Sequence, residues 1–148
     1  MQKARASQGA ALAFSRAEAA FSAALREAIA QARLRGVIDQ GMGPILFALE
    51  VRGVLTMSDL ATVACIPRST MTGIAARMEK RGLVRLAPNP SDGRGTVVAL
   101  TSKGRSTLPK MRRIEHALDE AIEQALTPGE VRVFSNYLER LASSFRTS

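Results

Sequence analysis

Apolar residues recur at helical spacing along most of the chain, and the period changes only once. Residues 4–35 hold thirteen alanines, no proline and a single glycine. Within them Phe14, Phe21, Leu25 and Ile29 fall near one face, which predicts one long helix ending before Gly36. Gly41-Met42-Gly43-Pro44 breaks the pattern, and a short helix is expected from about Pro44 to Val51, closed by Gly53. Thr56-Met57-Ser58-Asp59 reads as a capping box opening a helix with Leu60, Ala61 and Ala64 inward. Pro67 opens another, running to about Arg81, with Met71, Ile74, Ala75 and Met78 as its apolar stripe and Gly82 as its stop. From Leu83 the pattern is that of strands. Leu83–Ala87 and Thr96–Leu100 flank the turn-forming run Pro88–Gly95, so a β-hairpin with a long tip is expected. Thr101 then caps a helix to about Ala125. Thr127-Pro128-Gly129-Glu130 is a second capping box, opening a last helix. That helix places Val131, Phe134, Leu138, Leu141 and Phe145 at alternating three- and four-residue steps, a seam that needs a partner helix.

Charge sharpens this picture. The chain has 148 residues and a net charge of +8, a size suited to one domain. Residues 52–113 hold twelve basic and three acidic side chains, a surplus of nine that exceeds the total. The polyanion partner implied by the balance therefore belongs to the middle of the chain. All six aromatic residues lie outside that segment, which disfavours base stacking on single strands and leaves double-stranded DNA contacted through phosphates and groove edges. One cysteine and one histidine exclude a disulfide framework, a cysteine zinc cluster and any two-histidine site. No apolar run approaches membrane-spanning length, so no membrane partner is expected, and the first ten residues read as the start of the long helix rather than as a targeting peptide.

Several short runs, in order and at their spacing, carry a resemblance. They are Leu55–Ala61, Ser69–Thr72, Met78–Val84, Pro90–Arg94, Leu100–Gly104 and Leu126–Glu130. Together they resemble the multiple-antibiotic-resistance regulator (MarR) family of bacterial transcription regulators. The resemblance implies a mainly α fold with a small β-hairpin. Residues 44–101 would form a winged helix-turn-helix lobe, and residues 4–35 and 102–146 a helical dimerisation lobe of the same domain, 1–148. It implies a cytoplasmic homodimer that binds palindromic duplex DNA, commonly as a repressor released by a small-molecule effector. Half-sites one helical turn apart, about 34 Å, are then expected.

The candidate DNA-binding residues are Arg68, Ser69, Thr70, Thr72 and Arg77, which face outward once the apolar stripe of their helix is turned in, and Arg94 at the hairpin tip. The resemblance assigns Arg94 to the minor groove and gives Asp92 the task of bracing it. Two departures from the family pattern stand out. Small residues, Gly73 and Ala76, occupy positions that often carry longer polar readers, and Gly93 replaces the usual wing arginine. Lys80, Arg81, Arg85, Lys103 and Arg105 are expected to be phosphate-facing or solvated charges.

No catalytic residues, metal ligands or cofactor site are expected. Cys65, between Ala64 and Ile66, reads as a buried core cysteine. His116, Glu120 and Glu123 could share a helix face but read as a solvated acidic surface. The alternative to DNA binding is a winged helix used only for protein interaction.

Overall fold

The computed structural model describes residues 9–146. Its elements are α1 (Ala10–Gln31), α2 (Met42–Arg52), β1 (Val54–Thr56), α3 (Met57–Val63), α4 (Arg68–Lys80), β2 (Val84–Pro88), β3 (Thr96–Leu100), α5 (Ser102–Ala125) and α6 (Pro128–Arg146). The fold is mainly α with a small sheet, as expected. The expected helix start at residue 4 lies outside the described residues. Backbone contacts divide the chain into two units, one ending at Gln40 and the other beginning at Gly41.

The first unit is α1 and the turn that follows it. The helix ends where Arg33 takes a left-handed conformation (φ 57°), with Arg33 N–H donating to Ala30 and Leu34 N–H to Ile29. This reciprocal pair satisfies carbonyls that the helix end would otherwise leave open. Ser22 is buried and polar; its hydroxyl donates to Glu18 Oε1 at 2.7 Å and accepts from Gln40 Nε2 at 2.7 Å. Both hydrogen bonds are needed to offset its desolvation.

The second unit holds the winged helix-turn-helix. Its core is Met42, Ile45, Leu46, Leu49, Leu60, Met71, Met78, Leu83, Val84 and Val98, all fully buried. The sheet has three strands in the order β1-β3-β2, where two were expected. Leu55 of β1 and Leu86 of β2 both sit opposite Val98 of the central strand. Strand β1 escaped the pattern because three residues cannot display an alternation and Thr56 already served as a helix cap. Burial along α5 fades with distance from the sheet. Met111 and Ile114 are buried, Leu118 is half-buried, and Ala121 and Ala125 are exposed.

Two capping boxes form as the sequence implies. Thr56 Oγ1 accepts from Asp59 N–H at 3.1 Å while the Asp59 carboxylate accepts from Thr56 N–H. Thr127 and Glu130 repeat the arrangement at the start of α6, with Thr127 N–H donating to Glu130 Oε2 at 2.8 Å. The seam on α6 lies open: Phe134, Leu138 and Leu141 are between 37% and 40% exposed, and Phe145 is 65% exposed.

Candidate nucleic-acid interface

Helix α4 is the second helix of the helix-turn-helix. Its inner stripe, Met71, Ile74, Ala75 and Met78, is buried. Burying that stripe turns Ser69, Thr70, Thr72 and Arg77 to the exposed face, as expected, together with Arg68, Gly73 and Ala76. Pro67 stands at the N-cap and, among the described residues, supplies no side-chain cap hydrogen bond to this helix. The Thr72 hydroxyl donates to Arg68 O at 3.1 Å. It therefore presents lone pairs and a methyl group outward, an acceptor and an apolar contact rather than a donor.

The turn before α4 corrects one expectation. Cys65 is exposed, not buried. It takes φ 55°, and the turn closes through Cys65 N–H to Thr62 O and Ile66 N–H to Ala61 O. A left-handed residue at this position reverses the chain after α3 and swings the thiol outward while Ile66 stays half-buried. Ser58, Ala61, Thr62, Ile66 and Arg68 line an open concavity of about 470 Å³ on the same surface.

The hairpin tip is held by its own polar residues. Asn89 N–H donates to Gly95 O, Gly93 N–H donates to Asn89 O, and Asn89 Oδ1 accepts from Ser91 N–H. Asp92 Oδ1 accepts from the backbone N–H groups of Arg94 at 3.1 Å and Gly95 at 3.3 Å. Asp92 thus holds the backbone that carries Arg94, and no ion pair joins the two side chains among the described residues. Arg94 projects from a braced turn and is exposed.

Helix α4 is tied to its surroundings at its C-terminal end. Gly82 takes φ 73°, and Leu83 N–H returns to Met78 O. Thr101 Oγ1 lies 2.6 Å from Gly82 O and accepts from Gly104 N–H at 3.0 Å. Lys103 Nζ donates to Arg81 O at 2.7 Å. Lys103 was expected to be a phosphate-facing or solvated charge. It is exposed, as expected, and also sits at the favourable end of α4's helix dipole, where it satisfies the Arg81 carbonyl. A Cβ at Gly104 would lie 2.1 Å from Leu83 O, which is why a residue without a side chain stands in the first turn of α5. Sequence patterning missed this clamp because its partners are about twenty residues apart.

Two carboxyls near the caps are held below their ordinary pKa. The Thr56 hydroxyl and then its N–H donate to Asp59, and the Thr127 N–H and then its hydroxyl donate to Glu130. Elsewhere, His116 Nε2 lies 3.4 Å from Glu120 on an exposed face of α5, and Arg112 pairs with Glu50. In the first unit, an open concavity of about 570 Å³ brings Arg26 and Arg35 together with Glu27 and Asp39. Among the described residues, no three His, Cys, Asp or Glu side chains gather as metal ligands. No described helix is long and apolar enough to cross a membrane.

These features agree with what the chain is similar to. The MarR family model matches residues 43–96, which run from the start of α2 to the start of β3. IacR of Pseudomonas putida, an HTH-type transcriptional repressor, is 32% identical over 103 residues, 70% of this chain and 62% of IacR. The match therefore spans under two thirds of that relative's length. FarR of Neisseria gonorrhoeae, an HTH-type transcriptional regulator, is 36% identical over 99 residues, 66% of this chain and 67% of FarR. Among solved structures, BpsR of Bordetella bronchiseptica, whose DNA binding is regulated by 6-hydroxynicotinic acid, superposes with a TM-score of 0.74. It is 25% identical and covers 90% of this chain and 98% of its own. With the exposed face of α4, the braced wing and these relatives in agreement, the chain belongs to the MarR family of transcriptional regulators, and not to a family of enzymes.

Proposed function

We propose that this protein is a cytoplasmic repressor that binds palindromic double-stranded DNA as a homodimer and releases it on binding a small-molecule effector. Residues 44–101 form the DNA-binding lobe in this reading, and residues 4–35 and 102–146 form the dimerisation lobe. The observation that carries the reading is the outward face of α4. Arg68, Ser69, Thr70, Thr72 and Arg77 are all exposed on one helix within the segment 52–113, which carries nine surplus positive charges. Such a helix enters the major groove while Arg94, on the wing stiffened by Asp92, reaches the adjacent minor groove. Gly73 and Ala76 leave the middle of the helix without long side chains, so base discrimination falls on Arg68, Ser69, Thr72 and Arg77. The effector part of the reading leans on the likeness to BpsR.

Fluorescence anisotropy with a labelled 30-bp duplex, titrated at several salt concentrations, tests the reading. The expected result is a linear fall of log affinity with log salt and measurable binding at physiological ionic strength. Binding that vanishes below physiological salt overturns it in favour of a protein-interaction module.

A further inference from the structure

The basic lobe contains three acids between residues 52 and 113, namely Asp59, Glu79 and Asp92. Each accepts a hydrogen bond from a backbone N–H. Asp59 takes that of Thr56, and Asp92 takes those of Arg94 and Gly95. Glu79 takes that of Leu86, at 3.0 Å. The first and third bonds are local, within three residues, and serve a cap and a turn. The Glu79 bond is different, because it joins two elements: Glu79 is in the last turn of α4, and Leu86 is the middle residue of β2.

A carboxylate on the last turn of a helix that faces a polyanion is electrostatically unfavourable, by repulsion from phosphates. Its presence therefore calls for a compensating task. Strand β2 lies at the edge of the sheet, in the order β1-β3-β2, so one row of its backbone groups faces away from β3. Glu79 supplies an acceptor on that edge. The far end of the same strand leads directly into the tip that carries Arg94. Helix α4 and the wing thus share a polar link beyond the chain connection between them.

We propose that Glu79 is a positioning residue. It sets the offset of the wing from α4, so that Arg94 meets the minor groove while α4 lies in the major groove. The inference rests on the DNA-binding reading above.

Two variants separate the acceptor from the charge. Glu79→Gln removes the charge and keeps an oxygen that can accept from Leu86 N–H; Glu79→Ala removes both. The probe is the tightest duplex enriched by the wild-type protein from a random 30-bp pool, and each variant is measured with and without Arg94→Ala. If Glu79 were only a residual charge, both variants would bind more tightly than wild type, and equally. The positioning role requires Glu79→Ala to bind the selected duplex about tenfold more weakly than Glu79→Gln. It also requires coupling: Arg94→Ala should cost about tenfold in the Gln background and less than about threefold in the Ala background. Thermal unfolding of each variant guards against general loss of fold, and since the bond is solvent-exposed the melting temperatures should stay close. Equal affinities for the two variants, or an equal cost of Arg94→Ala in both backgrounds, overturns the proposal. A wild-type protein that enriches no duplex overturns the DNA-binding reading itself, and the positioning role with it.

Discussion

Two single residues decide how the basic lobe is built and what it can touch. Gly104 is the first. Any side chain there meets the Leu83 carbonyl, which is backbone and cannot rotate away. Gly104→Ala must therefore push α5 off the end of α4, breaking the Thr101 and Lys103 contacts with Gly82 and Arg81 as it moves. Overpacking of this kind costs about 1–3 kcal/mol or more. Urea unfolding should show a loss of at least about 2 kcal/mol, although alanine is the better helix former; a neutral or stabilised variant would contradict the close approach. Arg94 is the second. It is exposed, and its backbone is pinned by Asp92, so its removal takes away one positive charge and leaves the turn intact. Arg94→Ala should weaken duplex binding for most sequences and lower the slope of log affinity against log salt by about one. Parallel titrations of both proteins check this, and equal slopes with equal affinities would remove Arg94 from the interface.

At the scale of elements, the helix caps make a prediction with a definite sign in pH. Asp59 and Glu130 have folded-state pKa values below their ordinary ones, because Thr56 and Thr127 donate to the ionised carboxylates. Folding therefore favours the charged form. The stabilisation is full above the ordinary carboxylate range, near pH 4, and is lost as pH falls through the lower folded values. Thr56→Ala removes the hydroxyl that donates to the Asp59 carboxylate and accepts from its N–H, leaves the backbone N–H in place, and should cost about 1 kcal/mol at pH 7. At pH 3 the deficit should shrink, because the wild type has begun to lose the carboxylate half of its box. A deficit unchanged between the two pH values would contradict the charge-assisted cap. These boxes were legible in the sequence because each is a contact across three residues. The stripe of α4 was legible for a similar reason, since burial of Met71, Ile74, Ala75 and Met78 follows from helical period alone. Strand β1 was not, being three residues long and paired with a strand more than forty residues away. Nor was the exposure of Cys65, whose apolar neighbours suggest a core position that only the left-handed turn overrules. Lys103 shows the same limit, since charge alone cannot distinguish a phosphate from a helix C-terminus 22 residues back.

At the scale of the whole molecule, the proposed dimer makes a prediction about the apolar faces left open on α6 and, separately, on α1. Phe134, Tyr137, Leu138, Leu141 and Phe145 are each more than a third exposed, as are Leu12, Phe14 and Phe21 on α1. Singly, such residues are ordinary on a surface, but those of α6 are spaced along one helical seam, a pattern that calls for a partner helix. A second copy supplies it in the proposed dimer, and the dimer in turn supplies the second α4. The two halves of a palindrome then act as linked sites, where binding at one raises the effective concentration at the other by factors of about 10²–10⁴ in avidity. Leu141→Glu places a charge in the middle of the seam without touching the lobe that carries Arg68, Ser69, Thr72 and Arg94. Sedimentation should find the wild type dimeric at micromolar concentration and the variant monomeric. The variant should bind a selected palindromic duplex at least about 100-fold more weakly, while its affinity for random duplex, set by phosphates within one lobe, falls far less. A monomeric variant that keeps the wild-type affinity for the palindrome would show that one lobe suffices. The apolar seams would then have to serve something other than DNA recognition.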